Sequence, residues 1–488
     1  MLEEGVDVVV IGGGIGGLTA AAYIAKSGRS VALFEHHRRL GGCCTSFYRK
    51  GFTFDAAVHA IGSCHEGGMF RRVLEDLDMW ERVTFYRADP MDVVVTSEFE
   101  VPIWCDTEKF LDALRDVFPN DIDKLAEMVH VIRNFGPEHY GQWGGKTYRE
   151  FLDHYTQNDA ARIPFCAPLG NIGLPSTQIG AINGCTLFRE NQLGGGYYPK
   201  GSFQALSDAF GDRIQELGGH VHTRTEVFDV EMKDGIAQAV HVRNKKGQQW
   251  RVPCKAVVSN AAVLGTMEHL VGEEHVPDEY MDELRGMEPS LSSGVLFLGI
   301  DRDLSKEIKH HALHWYVPQV DSRILDNCFD KDMIEDTMFD KQGPIYLAFQ
   351  SLHDPETVPE GKSSIVGIAP AVHKSPEYWK ENKPRLQEAM ISRVEQLIPD
   401  IRKDIIWEEA ATSATVQRFT RNTDGAWYGW ASTPEQSNLK RLDRITPIPN
   451  LWLAGHWTRP GPGVVQVAKS GQLTARAVLR TLKKMDRR

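Results

Sequence analysis

A chain of 488 residues is longer than one hydrophobic core supports well, so two domains are expected. Hydrophobic residues at 42% and charged residues at 25% are an ordinary globular balance, and the net charge of −11 argues against a general nucleic-acid binder, which needs a basic face. No stretch approaches the roughly 20 apolar residues of a membrane span, and the first apolar run starts within a few residues of Met1, leaving no room for a leader peptide. The eight cysteines, at 43, 44, 64, 105, 166, 185, 254 and 328, show no C-x-x-C spacing. That predicts reduced thiols in a cytoplasmic protein and no metal framework.

Asp7 to Ile11 is an apolar β-branched run, the pattern of a strand buried on both faces. Gly12, Gly14 and Gly17 follow as G-x-G-x-x-G, with Ile15 and Gly16 between them: a tight turn, a close backbone approach to a pyrophosphate and a close helix–strand contact. An Ala-rich helix comes next, with Gly28 placed to stop it, and then Val31 to Phe34 as a second strand. Glu35 stands 23 residues after Gly12, the register of a carboxylate that binds a ribose hydroxyl pair, and its charge disfavours a 2′-phosphate. Strand, turn, helix and acid together predict a dinucleotide site. After five residues comes the pair Gly41-Gly42, then the adjacent Cys43 and Cys44, read as small residues packed near the cofactor in preference to a redox pair or a covalent attachment point.

Gly51 to Gly62 (GFTFDAAVHAIG) alternates as a short strand and then turns, bringing His59 towards the cofactor side. From Met69 to Asn191 the pattern is amphipathic and helical; in Thr107 to Phe118 the residues Phe110, Leu111, Leu114 and Val117 share a face. Pro164 to Pro175 reads as a connection. Gly194 to Ser202 (GGGYYPKGS) leads into a helix from Ser202 to Leu217, a strand from Val221 to Val227, an Asp234-Gly235 hairpin turn, and a buried strand from Ala256 to Asn260. Val295 to Ile300, Ile345 to Phe349 and Ser364 to Ile368 read as strands, and Lys383 to Ile398 as a helix. Near the end stand Phe419 to Trp430 (FTRNTDGAWYGW), the strand Asn450 to Gly455, and Pro460 to Gly471 (PGPGVVQVAKSG). Tyr428 and Trp430 would either stack on a substrate or pack a domain junction. The basic tail of the last helix, Arg476, Arg480, Lys483, Lys484, Arg487 and Arg488, either complements the helix dipole or touches anionic lipid.

The E-x5-G-G continuation, GFTFDAAVHAIG, GGGYYPKGS and PGPGVVQVAKSG resemble the FAD-dependent amine oxidase superfamily, most closely its phytoene desaturase, carotenoid isomerase and retinol saturase group. The likeness touches residues 7–62, 194–261 and 419–478. It implies an α/β fold with a Rossmann-like FAD-binding domain of the two-dinucleotide-binding-domain flavoprotein type and an interleaved α+β substrate domain. The expected boundaries are 1–68, 192–263 and 410–488 for the first, and 69–191 and 264–409 for the second. It further implies FAD contacts from Gly12, Gly14, Ile15, Gly16, Gly17, Glu35, Gly41, Gly42, Val227 (through its backbone, to adenine), Gly455, His456, Gly463, Val464 and Val465. The helix starting near Val464 would direct its N-terminal N–H groups at the flavin ring. One departure is His456, where relatives commonly carry an acid.

The implied activity is desaturation, saturation or cis–trans isomerisation of an apolar polyene or isoprenoid, with the isomerase and saturase side favoured. His59 is the candidate acid or orienting group beside the flavin, set against a purely structural role. Other readings are an amine oxidase-like or natural-product tailoring oxidase and, from a different class, a non-catalytic flavin-binding protein. No second glycine turn suggests an NAD site, so electrons would pass to or from a quinone, oxygen or a reductase. Localisation would be cytoplasmic, with peripheral membrane contact if the basic tail meets lipid.

Overall fold

The computed structural model describes residues 5–487, apart from the side chains of residues 191 and 192; Arg488 lies outside the described residues. Two seven-stranded sheets organise it. The first runs in the order Thr225–Lys233, Ile236–Asn244, Gln249–Ser259, Val6–Ile11, Val31–Phe34, His220–His222, with Leu451–Leu453 also paired to Gln249–Ser259. Val6–Ile11 is parallel to both of its neighbours. Helices Ile15–Lys26, Phe203–Glu216 and Val464–Met485 contribute Leu18, Phe210 and Val478 to the core on one face of this sheet, while Val9, Phe34 and Val257 belong to the core on the other. A strand covered on both sides has no polar face to show, which is why its sequence is apolar without alternation.

The second sheet runs Ile405–Ala411, Ser292–Ile300, Ser363–Ala371, Ile345–Ala348, Leu313–Val317, Asp92–Thr96, Glu100–Ile103. Its strands alternate. Leu296, Leu298, Leu347 and Ile365 pack in one cluster with Leu386 and Met390 of helix Pro376–Leu397, while Val295, Phe297, Tyr346 and Val366 belong to the cluster on the opposite face. Period-two side-chain direction thus gives one sheet a structural face and a face free to line a cavity.

Several expected elements differ. Met69 to Asn191 is not purely helical, because Phe85–Ala88, Asp92–Thr96 and Glu100–Ile103 are strands, two of which extend the second sheet. Val221 to Val227 is broken: His220–His222 pairs with Val31–Phe34, Arg224 takes a left-handed φ of 54°, and Thr225–Lys233 starts a separate hairpin. Pro164 lies inside helix Asp159–Cys166, whose residues from Ala161 to Cys166 are all buried. That packing outweighs the roughly 3 kcal/mol that a proline costs a helix interior. Helix Pro376–Leu397 starts earlier than expected because Ser375 caps it, accepting from the Tyr378 N–H at 3.3 Å, and it also tolerates an internal Pro384. The strand at Asn450 shortens to Leu451–Leu453.

Candidate active site

The glycine turn packs as tightly as its spacing predicts. A Cβ on Gly17 would stand 2.1 Å from the Gly12 carbonyl oxygen, and one on Gly41, where φ is 114°, would stand 2.3 Å from that of Cys44. Gly14 bridges to Gly41, bringing the second glycine pair against the first turn. The first backbone bond inside helix Ile15–Lys26 is Leu18 N–H to Gly14 O, so the N–H groups of Ile15, Gly16 and Gly17 have no partner within the helix. Both oxygens of the buried Glu35 accept from backbone: Gly13 N–H at 2.8 Å and His37 N–H at 2.6 Å. Burial works against the charge, but His36 and these two amides hold the Glu35 pKa below its ordinary value, so it is a carboxylate. Val227 is buried at the start of Thr225–Lys233, whose first N–H bonds the Glu35 carbonyl at 2.9 Å.

The carboxyl-terminal segment closes onto this turn. A Cβ on Gly471 would lie 2.2 Å from Gly16 O, and one on Gly16 would lie 3.0 Å from the Gly455 backbone. Asn260 is wedged between them, its side chain 2.5 Å from the Gly16 Cβ position and 2.6 Å from that of Gly455. Gly455 N–H bonds Ser470 Oγ at 3.1 Å. Gly463, with φ 94°, caps helix Val464–Met485, and nothing stands within 4 Å of a Cβ built on it. The first bond of that helix is Val467 N–H to Gly463 O, which leaves the Val464, Val465 and Gln466 N–H groups without helical partners. His456 rests edge-on against Trp457, and burial together with the neighbouring Arg441 lowers its pKa to about 3. The imidazole is therefore neutral.

A cavity of ≈ 370 Å³ starts at Gly463, Val464, Val465 and Gln466 and extends to Trp315, Tyr346 and Ile368 of the second sheet. Trp427, Tyr428 and Leu187 wall it, and Met69 and Tyr140 are exposed residues on its lining. Tyr428 also donates to Gly170 O at 2.9 Å. Trp430 instead meets Trp457 edge-to-face, centroids 4.8 Å apart, and packs the core of the first sheet. Of the two aromatic residues left open by the sequence, only Tyr428 faces the cavity.

His59 lines the same cavity. It is 4% exposed, its Nε2 has no protein partner, and burial pushes its pKa down to about 3. The neutral ring carries one proton, and Gln350 decides where. Gln350 Oε1 accepts from Asp55 N–H at 3.3 Å, which fixes the amide; its Nε2 then donates to Asp55 Oδ2 at 2.7 Å and to His59 Nδ1 at 3.2 Å. With Nδ1 an acceptor, the proton stands on Nε2. Asp55 is itself buried and held by Tyr198 Oη at 2.7 Å, Phe203 N–H at 2.9 Å and Ser46 Oγ. Neither Gln350 nor Asp55 was singled out from the sequence. Asp55 sits inside the GFTFDAAVHAIG stretch, a signal that was readable there; Gln350 follows a strand 291 residues away from His59 and carries none.

Cys43 and Cys44 are free thiols whose pKa values burial raises, to about 11 and well above the ordinary value respectively, which favours the protonated form. Among the described residues there is no group of three His, Cys, Asp or Glu side chains able to hold a metal ion.

The model of the family described as flavin containing amine oxidoreductase matches residues 15–479. The chain belongs to this family. As a flavin amine oxidoreductase it is an FAD-dependent oxidoreductase, and two features of the structure suit that cofactor: two helix N-termini with unpaired N–H groups, and a buried carboxylate in the ribose register. Among curated relatives it is similar to all-trans-retinol 13,14-reductase of Rattus norvegicus, 27% identical over 93% of this chain and 82% of that one. It is also similar to carotenoid 3,4-desaturase of Haloarcula japonica, 26% identical over 98% of each. An oxidoreductase from Methanosarcina mazei shares the fold with a TM-score of 0.69 at 18% identity, covering 96% of this chain and all of the other.

Proposed function

We propose that this flavin amine oxidoreductase acts on carbon–carbon bonds of an apolar, isoprenoid-type polyene by desaturation, saturation or cis–trans isomerisation, with the isomerase and saturase side favoured. The observation that carries the reading is the cavity itself. Its walls are mainly aromatic and aliphatic, interrupted by neutral polar residues such as Asn171, Asn183 and Thr186, and its one carboxylate among the described residues, Glu190, already accepts from Arg189 at 2.6 Å and Ser63 at 2.9 Å. An ammonium substrate would lose its hydration there without gaining an ion pair, whereas a polyene gives up only apolar surface to water. The similarity to a retinol reductase and a carotenoid desaturase supports the same substrate class.

FAD, when bound, supplies the hydride chemistry. Gly12 to Gly17, Glu35, Gly41, Gly42 and Val227 would hold its adenosine and diphosphate part, with Gly455 and His456 beside them, and Gly463 to Val465 would back the ring. His59 holds its proton at Nε2 and, as a neutral donor, would meet a polar end group of an otherwise apolar polyene. The role of an acid is disfavoured, because a ring with a pKa of about 3 is not an imidazolium at neutral pH. Electrons would be exchanged with a quinone, oxygen or a reductase. The exposed basic end of helix Val464–Met485, including Arg480, Lys483 and Lys484, would suit peripheral contact with anionic lipid; among the described residues no helix is long and apolar enough to cross a membrane.

The test is anaerobic incubation of the FAD-loaded protein, in both redox states, with conjugated polyenes, their saturated counterparts and amines, followed by product analysis. Saturation requires polyene turnover with the reduced protein only. Oxidation of amines with no polyene turnover would overturn the reading.

A further inference from the structure

Arg441 is 2% exposed and no Asp or Glu pairs with it among the described residues. One of its nitrogens, Nη2, donates to the carbonyls of Tyr428, at 3.1 Å, and His456. Its Nε is buried with no partner. The nearest acid in sequence, Asp443, is taken by Arg459 and, at 3.8 Å, by Arg444. A buried guanidinium without a counter-charge is costly, several kcal/mol, unless something neutralises it.

The protein contains a control for the purely structural explanation. Arg393 is equally buried and equally without a carboxylate, but all three of its nitrogens are used: Nε on Asp340 O at 2.8 Å, Nη1 on Pro344 O at 3.0 Å, and Nη2 on Thr337 O and Met338 O at 2.9 and 3.0 Å. That arginine ties down a loop, and its donors are satisfied. Arg441 ties two carbonyls with one nitrogen and keeps donor capacity and charge in reserve.

Its position says for what. The guanidinium and its stem lie 3.7 to 3.8 Å from where a Cβ on Gly461 would stand, directly behind the segment whose Pro460, Pro462 and Gly463 line the cavity. The two carbonyls it holds belong to Tyr428, a cavity wall, and His456.

We propose that Arg441 is the counter-charge for the reduced flavin. Uptake of a hydride brings the ring two electrons and one proton, and the net negative charge left behind is offset by this guanidinium across the Gly461 to Val464 backbone, together with the helix N-terminus. Arg441 does not line the cavity, so it is a positioning charge and not a catalytic group. The inference rests on the ring lying against Gly463 to Val465, as read above.

The experiment measures the midpoint potential of the FAD-bound protein, by dye equilibration without oxygen, for wild type, Arg441→Lys and Arg441→Met. Arg441→Met is expected to lower the equilibrium constant for reduction at least tenfold, which is about 30 mV for a two-electron couple, with Arg441→Lys close to wild type. An unchanged potential in FAD-loaded Arg441→Met overturns the proposal; so does a loss of FAD affinity with no change in potential, which would place the charge on the diphosphate. If Arg441→Met does not fold, wild type alone decides. On the acid side of neutrality, uptake of one proton makes the constant change tenfold per pH unit, about 30 mV, and uptake of two makes it hundredfold, about 59 mV. The second slope overturns the proposal. Val465→Trp separates the two readings: if it leaves the bound flavin spectrum unchanged, the ring placement fails, whatever Arg441 does.

Discussion

Gln350 donates to Nδ1 of His59 across 3.2 Å and so leaves the imidazole proton on Nε2, the nitrogen with no protein partner. The same amide donates to Asp55, which Tyr198 and Phe203 also hold. One side chain therefore sets the tautomer of the cavity histidine and satisfies the buried carboxylate behind it. Gln350→Met should cost about 1–3 kcal/mol of stability, because Asp55 loses a donor in a buried site. Urea unfolding measures this, and nitrogen NMR of His59 should show both neutral tautomers in the variant. A single Nε2–H tautomer at unchanged stability would contradict the assignment.

His59→Phe preserves volume but removes the donor. If His59 donates to a polar end group of the polyene, kcat/KM for a substrate that carries one should fall roughly three- to tenfold, the range of a net hydrogen bond of about 0.5–1.5 kcal/mol, while FAD content stays at the wild-type level. A loss of FAD with no change in turnover per bound flavin would assign the residue a structural role.

The acid side of the stability profile should carry a His59 signature. Its folded pKa is lowered from 6.5 to about 3, so between those values the unfolded chain binds a proton that the folded one does not. Stability is therefore full above pH 6.5 and falls as pH drops towards 3, by about 1.4 kcal/mol per pH unit for this one group. His59→Phe should flatten the profile by that slope. Identical slopes for variant and wild type would mean that the imidazole is charged in the folded state.

Glu35→Gln tests the dinucleotide end. The backbone amides of Gly13 and His37 keep one carbonyl acceptor but lose the charge, and a ribose hydroxyl pair loses a charge-assisted partner worth about 1.5–3 kcal/mol. FAD dissociation should strengthen in the variant by roughly ten- to a hundredfold, read by fluorescence titration of the apoprotein. Unaltered affinity would remove Glu35 from the site.

The cofactor half of the protein was legible in the sequence because its chemistry is local. Gly12 to Gly17, Glu35 and Gly41-Gly42 are spaced by turn and strand geometry; a side chain would collide at Gly14, Gly16, Gly17 and Gly41, and Gly12 holds a left-handed φ of 93°. Such constraints act over a few residues and leave a pattern. Even so, the three stretches that resemble the family do not say that Gly471 meets Gly16 or that Asn260 fills the gap to Gly455. Those contacts depend on how helices Ile15–Lys26 and Val464–Met485 cross, which no short window encodes.

The substrate half was read poorly for the complementary reason. Asp92–Thr96 and Glu100–Ile103 sit in a region that reads as helical, and they become strands because Leu313–Val317, over two hundred residues later, offers Asp92–Thr96 an edge to pair with. Sequence alone pointed to a dinucleotide turn at the start of this chain, since backbone sterics and ribose recognition are short-range, and the resemblance of later segments supplied FAD. Tertiary structure alone decided that Gln350 sets the His59 proton and that Arg441 is buried without an acid. Burial and hydrogen-bond partnership belong to residues that are distant in the chain and adjacent only after folding.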